Sequence, residues 1–185
     1  MTTMAFRMLS YGVALAGVLA MPSPLHADSP LPARRTQKAF SPDKHFYAEM
    51  HARLKTTVIY ELPPSGEPQK RWSMPGWFRV AHLSNDGSHF VTAYDGANLL
   101  ALEDRKPETI MLSFYDRGRL VRHVTLGELV PDLTHLKRTE SHFAWGHVDG
   151  FNAKGFYTVE TVDSKTIVFD ATTGKRVSAA PEGTR

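Results

Sequence analysis

The side chains able to do chemistry here are carboxylates, histidines and tryptophans, because the 185 residues contain no cysteine. Thiol catalysis, disulfide frameworks and cysteine-ligated zinc are excluded. Hydrolysis by paired carboxylates needs two acids held near each other in a cleft. The candidates are Asp95 with Glu103, Asp104 and Glu160. Asp95-Gly96 reads first as a turn pair, however, and the other acids read as solvated loop charges. Nucleophilic hydrolysis needs a serine on a sharp glycine turn beside a base. No Gly-x-Ser-x-Gly occurs, and adjacent Ser88 and His89 point apart if they lie on a strand. His142 and His147, with Asp149 just after them, come closest to a metal spacing. Their separation is odd, so on a strand they face opposite sides and share one ion only if the chain bends at Gly146. Surface or capping roles account better for them, and no metal is assigned. Neither Gly-x-Gly-x-x-Gly nor a Gly-Lys-Ser/Thr ending is present, so no nucleotide or other cofactor is expected.

Trp72, Trp77 and Trp145 are the only tryptophans, and the first two flank the turn Pro75-Gly76. Exposed, those rings would offer flat apolar faces to a sugar, a peptide or a protein partner. Packing over the ends of sheets is the competing role.

Near the start, Arg7 precedes an apolar run from Met8 to Met21, followed by Pro22-Ser23-Pro24 and then Leu25-His26-Ala27. This order matches the charged, apolar and small-residue parts of a secretory signal peptide, with cleavage expected after Ala27. As a helix the run would reach about 21 Å, short of a hydrocarbon core of about 30 Å. Arg34-Arg35 follows the run and is no twin-arginine signal. A periplasmic or secreted location is expected, with no membrane span after cleavage. Losing Arg7 lowers the formal charge from +3 to +2. Beyond Arg34, Arg35 and Lys38 there is no basic cluster, so nucleic acid is not an expected partner. Residues 28–39 read as a flexible leader, 40–178 as a single all-β domain and 179–185 as a disordered tail.

The domain repeats one order of features three times. A turn and an aromatic open each unit: Ser41-Pro42-Asp43-Lys44 then Phe46, Ser84-Asn85-Asp86-Gly87 then Phe90, Asn152-Ala153-Lys154-Gly155 then Phe156. A run rich in β-branched or aromatic residues follows, ending in an aromatic and an acid at Tyr60-Glu61, Tyr115-Asp116 and Phe169-Asp170. Each unit then turns at Gly66, Gly118 or Gly174. Such runs between small polar residues predict strands joined by tight turns, an all-β antiparallel meander.

This order resembles the blades of β-propellers, in particular the bacterial repeats with a Ser-Pro-Asp-Gly turn and their tryptophan-aspartate-repeat relatives. The closest matches are Ser41-Pro42-Asp43 and Asp170-Ala171-Thr172-Thr173-Gly174-Lys175, and the resemblance covers about residues 39–178. Pro75-Gly76-Trp77 and the run from Val80 to Gly87 also resemble a wider group of exported bacterial proteins, from which no activity carries over. Typical propellers close with four to eight blades. Three propeller-blade-like units therefore imply either a partial propeller completed by a second chain, a homodimer, or a non-circular compact sandwich or barrel.

The second unit is longer than the others, and residues 95–108 carry the excess. In a propeller such a loop emerges on the same face as the links between blades, here 72–77 and 127–143. Leu126, Leu129, Leu133 and Leu136 suit one face of a short helix, with Pro131 near a turn start. Long loops on a rigid scaffold are where binding groups usually lie. The candidate binding residues on this face are Trp72, Trp77, Asp95, Arg105, His135 and His142. The leading expectation is a non-catalytic exported binding or scaffold protein contacting a protein or an envelope polymer. The alternatives are a periplasmic hydrolase using carboxylates or a histidine on that face, and a structural subunit assembling through strand edges.

Overall fold

The computed structural model describes residues 32–177. The expected export leader, residues 1–27, and the expected tail, 179–185, lie outside the described residues. Branched and aromatic side chains suit a pleated, half-buried surface, and the Ser, Asp, Asn and Gly between them suit tight turns. Among the described residues the result is an all-β arrangement of four antiparallel sheets, none closed into a barrel, which removes the barrel from the alternatives. Among the described residues no helix is long and apolar enough to cross a membrane.

The first sheet holds β1 (Gln37–Phe40), β2 (Phe46–His51), β3 (Thr56–Glu61) and β4 (Gln69–Pro75) in chain order. The second begins with β5 (Ala81–Leu83) and β6 (His89–Ala93). The chain then leaves it for β7 (Leu99–Ala101) and returns as β8 (Ile110–Asp116) and β9 (Arg119–Thr125). A one-turn helix α1 (Leu126–Leu129) leads to β10 (Lys137–Arg138) and β11 (His142–Ala144). The third four-stranded sheet is β12 (Gly146–Phe151), β13 (Phe156–Thr161), β14 (Thr166–Asp170) and β15 (Lys175–Arg176), again in chain order.

Three features depart from the sequence reading. Gln37 to Ala39, assigned there to the leader, form most of β1 and pair with Met50 to Ala48. Segments 95–108 and 127–143, read as loops, contribute a small fourth sheet in the order β10-β11-β7. Phe143 opposite Leu100 supplies its buried pair, and the two lie too far apart in sequence for local pattern to reveal the pairing. The expected helix through Leu136 stops after Leu129, and a 3-10 turn at Leu133–His135 follows Pro131. Proline lacks the N–H that a continuing helix would use. The apolar face survives the break, with Leu126, Leu129 and Leu136 all buried.

The second sheet is covered on both faces. Phe90 faces the first sheet's Ala48, Met50 and Ile59, while Val91 and Phe114 join the third sheet's Tyr157, Val159 and Phe169. A strand buried on both sides reads as a continuous apolar run rather than an alternating one. That explains why Met111 to Phe114 are buried without a break in β8. Each fully buried side chain of Phe size contributes about 1.5–3 kcal/mol.

The turns that open the three units share one hydrogen-bond scheme. Ser41 N–H and Ser84 N–H donate to Phe46 O and His89 O, and Phe46 N–H and His89 N–H donate back to the serine Oγ atoms at 3.0 Å each. Ser41 and Ser84 also donate to Asp43 and Asp86, whose Oδ1 atoms accept the N–H groups of His45 and Ser88. In the third turn Asn152 Oδ1 takes both jobs, accepting from Lys154 N–H at 2.9 Å and Phe156 N–H at 3.1 Å. Burial opposes ionisation of Asp43 and Asp86, but these hydrogen bonds outweigh it and hold both carboxyls below their ordinary value. Gly87 has φ of 66°, and a Cβ there would lie 2.4 Å from the Phe46 ring, so this turn admits only glycine without a shift.

Candidate functional site

β5 touches both β1 and β12, which brings the first strands of the three larger sheets next to one another. Between β5 and β12 lies a cleft of about 270 Å³ lined by Val80, His82, Ala97, Asn98, His147 and Val148. Trp145 holds the far wall in place. Its indole N–H donates to Ala97 O at 2.6 Å, its own N–H donates to Asn98 O at 3.3 Å, and its side chain is wholly buried. Gly146 follows with φ of 150°, and a Cβ there would stand 2.3 Å from Glu160 O. Glycine thus provides the bend that ends β11 and opens β12.

His82 is fixed by one partner, its Nδ1 lying 3.0 Å from the Tyr157 hydroxyl. Burial lowers the His82 pKa, since the charged imidazole would lose its hydration. Burial also raises the Tyr157 pKa well above its ordinary value, and the Asp149 charge adds to this. Around pH 7 both groups are neutral, and one donates to the other. At the rim, His147 Nε2 lies 3.1 Å from Asp149 Oδ1 and 3.7 Å from Glu160 Oε2. Chemically, a fixed neutral imidazole lining a cleft can accept a proton or orient a polar ligand. Tyr157, being fully buried, positions the ring and cannot itself meet a ligand.

Beside this cleft, Arg79 and Asp95 link to Trp77. Arg79 Nε and Arg34 Nη2 each lie 3.4 Å from an Asp95 carboxylate oxygen. Both guanidinium carbons stand 5.4 Å from the Trp77 ring centroid. Trp77 Nε1 donates to Arg35 O at 2.8 Å, and Arg79 Nη1 donates to Pro32 O at 2.7 Å. Of the six candidates from the sequence, Trp77 and Asp95 are therefore brought together, joined by two arginines.

A second group forms around the small sheet. Arg105 places its guanidinium 4.7 Å from the Phe143 ring centroid and donates to Leu133 O at 3.0 Å, tying the insertion to the later link. His135, two residues past Leu133, stands 3.7 Å from Asp132 and 3.9 Å from Asp163. His142 Nδ1 lies 2.9 Å from Ser141 Oγ in β11, whereas His147 belongs to β12 in another sheet. Among the described residues no three His, Asp or Glu side chains converge as metal ligands. Upstream, Tyr94 anchors the insertion through hydrogen bonds with Asp104 Oδ2 and Ala101 N–H. Burial and the Asp104 contact push its pKa up to about 12.

Trp72 does not belong to this face. It lies within β4, packs edge-on against Phe90, and donates its indole N–H to Gly87 O at 2.8 Å. It therefore sits by a unit-opening turn, on the side the sequence reading set opposite to the binding loops.

The larger groove, about 530 Å³, lies among such turns and is lined by Asp86, His89, Lys154 and Asp170 with their neighbours. Its acids are committed to the turns, since Asp170 Oδ1 accepts from Thr172 N–H and Oγ1 just as Asp86 serves Ser84 and Ser88. That leaves the smaller cleft as the better candidate. Sequence reasoning missed His82, Arg79 and Tyr157. His82 and Tyr157 are 75 residues apart, and nothing in either local pattern marks the pair. No protein-family model matches the chain, and no curated protein matches it.

Proposed function

We propose that the protein is an exported, non-catalytic binding or scaffold protein of the bacterial envelope. Its partner is a protein or envelope polymer, held where Trp77, Asp95 and the small sheet meet solvent. The observation that carries this reading is the small sheet itself, because β7 from the insertion pairs with β11 from the later link. Ordering two long irregular segments against each other makes a rigid platform, which lowers the entropic cost of holding a partner. The three meanders and their shared turn scheme support treating the units as propeller-like blades, with the platform as an addition to them. Light scattering on the exported protein, combined with capture from envelope extract, tests the reading. Capture of one mass-identified species that falls with Trp77→Ala or Arg105→Ala is the expected result. Capture unaffected by either change overturns it. A homodimer in light scattering would instead favour assembly through sheet faces or edges.

One observation favours a second reading, a hydrolase. The His82–Tyr157 hydrogen bond fixes a titratable ring in a concave site. Turnover of envelope polymers or esters that is lost in His82→Gln would establish it.

A further inference from the structure

Trp77 and Arg79 share a trait that packing alone does not explain: their side-chain donors are aimed at main chain, while Asp95 meets the side chains of Arg34 and Arg79. The two donors reach backbone carbonyls of one short segment, Trp77 Nε1 to Arg35 O and Arg79 Nη1 to Pro32 O. Between those carbonyls, the Arg34 side chain lies against the Trp77 ring and within 3.4 Å of Asp95 Oδ2. Carbonyl capture combined with one side-chain seat is how a surface recognises an extended peptide, the main chain giving affinity and the seat giving selectivity.

The two halves of this arrangement differ in how firmly they are built. Arg79 keeps 17% of its side chain exposed, and its Nε is buried without a hydrogen bond, facing Asp95 Oδ1. Trp77 is half-buried against the core between the first two sheets. By contrast residues 32–36 are all exposed, and Arg34 keeps 62% of its side chain open. The receptor side is part of the scaffold, and the segment lying on it is held from one side.

We infer that Trp77, Arg79 and Asp95 form a receptor for an extended, arginine-bearing peptide segment, and that the chain's own residues 32–35 fill it in cis. This rests on reading that face as a binding surface and names its ligand class. A partner carrying an arginine in an extended stretch competes with the chain's own segment, which is favoured by its high effective concentration until a better match arrives. Asp95 selects the positive charge, the Trp77 ring attracts the guanidinium through its π face, and the two carbonyl contacts fix direction.

The test uses the full chain. Trypsin cuts after arginine, and although the Arg34 side chain stays largely open, a segment docked through the Pro32 and Arg35 carbonyls must lift off before it can enter the protease active site. Cleavage after Arg34 or Arg35 should speed up roughly tenfold or more in Trp77→Ala and in Asp95→Asn, because exposure of the segment then follows its free rather than docked population. Asp95→Asn changes an exposed turn residue, so it gives the readout even if Trp77→Ala disturbs the core. A labelled synthetic peptide of residues 30–36 should bind the Arg34→Ala chain about tenfold more tightly than the unaltered chain. It should lose that gain in R34A/W77A, and a peptide with Glu in place of its first arginine should not bind. Cleavage unchanged in both single variants, or peptide binding equal in R34A and R34A/W77A, overturns the inference. If envelope capture in that event still depends on Arg105, the wider binding reading stands without this receptor. If the peptide behaves as expected and no envelope species is captured, the receptor stands and the envelope role falls.

Discussion

The two ends of the sheets are built by opposite means. At one end the turns at Ser41, Ser84 and Asn152 repeat a single scheme whose own bonds span five residues or fewer, with the Asp43 N–H to Asn85 bond and the Trp72 indole to Gly87 bond added from outside it. At the other, the cleft and its rim depend on single contacts between distant residues: Trp145 with Ala97, His82 with Tyr157, Trp77 with Arg35. Repetition makes the first end robust and chemically dull, because its acids and hydroxyls satisfy one another. The second end holds groups with capacity left over, including a fixed imidazole and a half-exposed carboxylate at Asp95. Function is better sought where the scheme is not repeated, since a repeated scheme is explained by folding alone.

The contrast breaks most easily at Trp145. Replacing it with Ala removes a wholly buried indole and leaves Ala97 O without its donor, so unfolding free energy should fall by about 3–5 kcal/mol. Urea unfolding of the purified variant measures this. A loss below about 1 kcal/mol would mean that the insertion is held mainly by its own turn and by Tyr94, and the cleft end would then be as local as the other.

A smaller effect, with a defined pH dependence, belongs to His82. Its folded pKa is depressed by burial, so the unfolded state binds the proton more readily. The contribution to stability is therefore complete above the ordinary value of about 6.5 and is lost as pH falls from there through the folded pKa. Thermal midpoints at pH 7.5 and 5.5 should differ less in His82→Gln than in the unaltered chain. Tyr157→Phe removes the hydroxyl facing Nδ1 and should cost about 1–3 kcal/mol near neutral pH, as expected when a buried polar atom loses its partner. An unchanged midpoint in Tyr157→Phe would show that water replaces the hydroxyl and that the ring is not fixed.

This division between the two ends also decides how much could be read in the sequence. The strand runs ending at Tyr60, Tyr115 and Phe169 were readable because enrichment in branched and aromatic residues between turn residues is a local property, and the observed strands run one residue further to Glu61, Asp116 and Asp170. Ser41-Pro42-Asp43 and Ser84-Asn85-Asp86 were readable because their hydrogen bonds close within the turn. The small sheet was not, since strands of two or three residues carry almost no period and their pairing joins Leu100 to Phe143. Trp77 and Asp95 were singled out for their types, but their shared contacts with Arg34 and Arg79 follow from tertiary placement. Trp72 was misplaced for the same reason: two tryptophans flanking Pro75-Gly76 look equivalent in sequence, whereas one faces the Gly87 turn and the other the segment at Arg35.

The turn end sharpens the comparison with effects that should be smaller and nearly equal. Ser41→Ala and Ser84→Ala each remove one hydroxyl that both donates to an aspartate and accepts a backbone N–H, so each should cost about 1–2 kcal/mol, a value like that of a lost helix N-cap. Loss of the serine also frees its aspartate from one of the bonds depressing its pKa. Asp43 and Asp86 should then titrate closer to their ordinary value, which carbon-detected NMR can follow.

Smallest of all should be Asn85→Ala. Its Oδ1 accepts the Asp43 N–H at 3.0 Å, a bond between the opening turns of the first two units, at the surface where water can take its place. The expected loss is about 0.5 kcal/mol, because an exposed acceptor is readily replaced by solvent. Within a double cycle, Ser41→Ala and Asn85→Ala both touch Asp43, yet should add to within about 0.5 kcal/mol because water readily replaces the exposed bond between the turns. Coupling well above that would mean that the turns act as one connected strip across the sheets. The turn end would then depend on long-range contacts just as the cleft does, and the separation between a self-contained end and a contact-dependent end would fail at its weakest link.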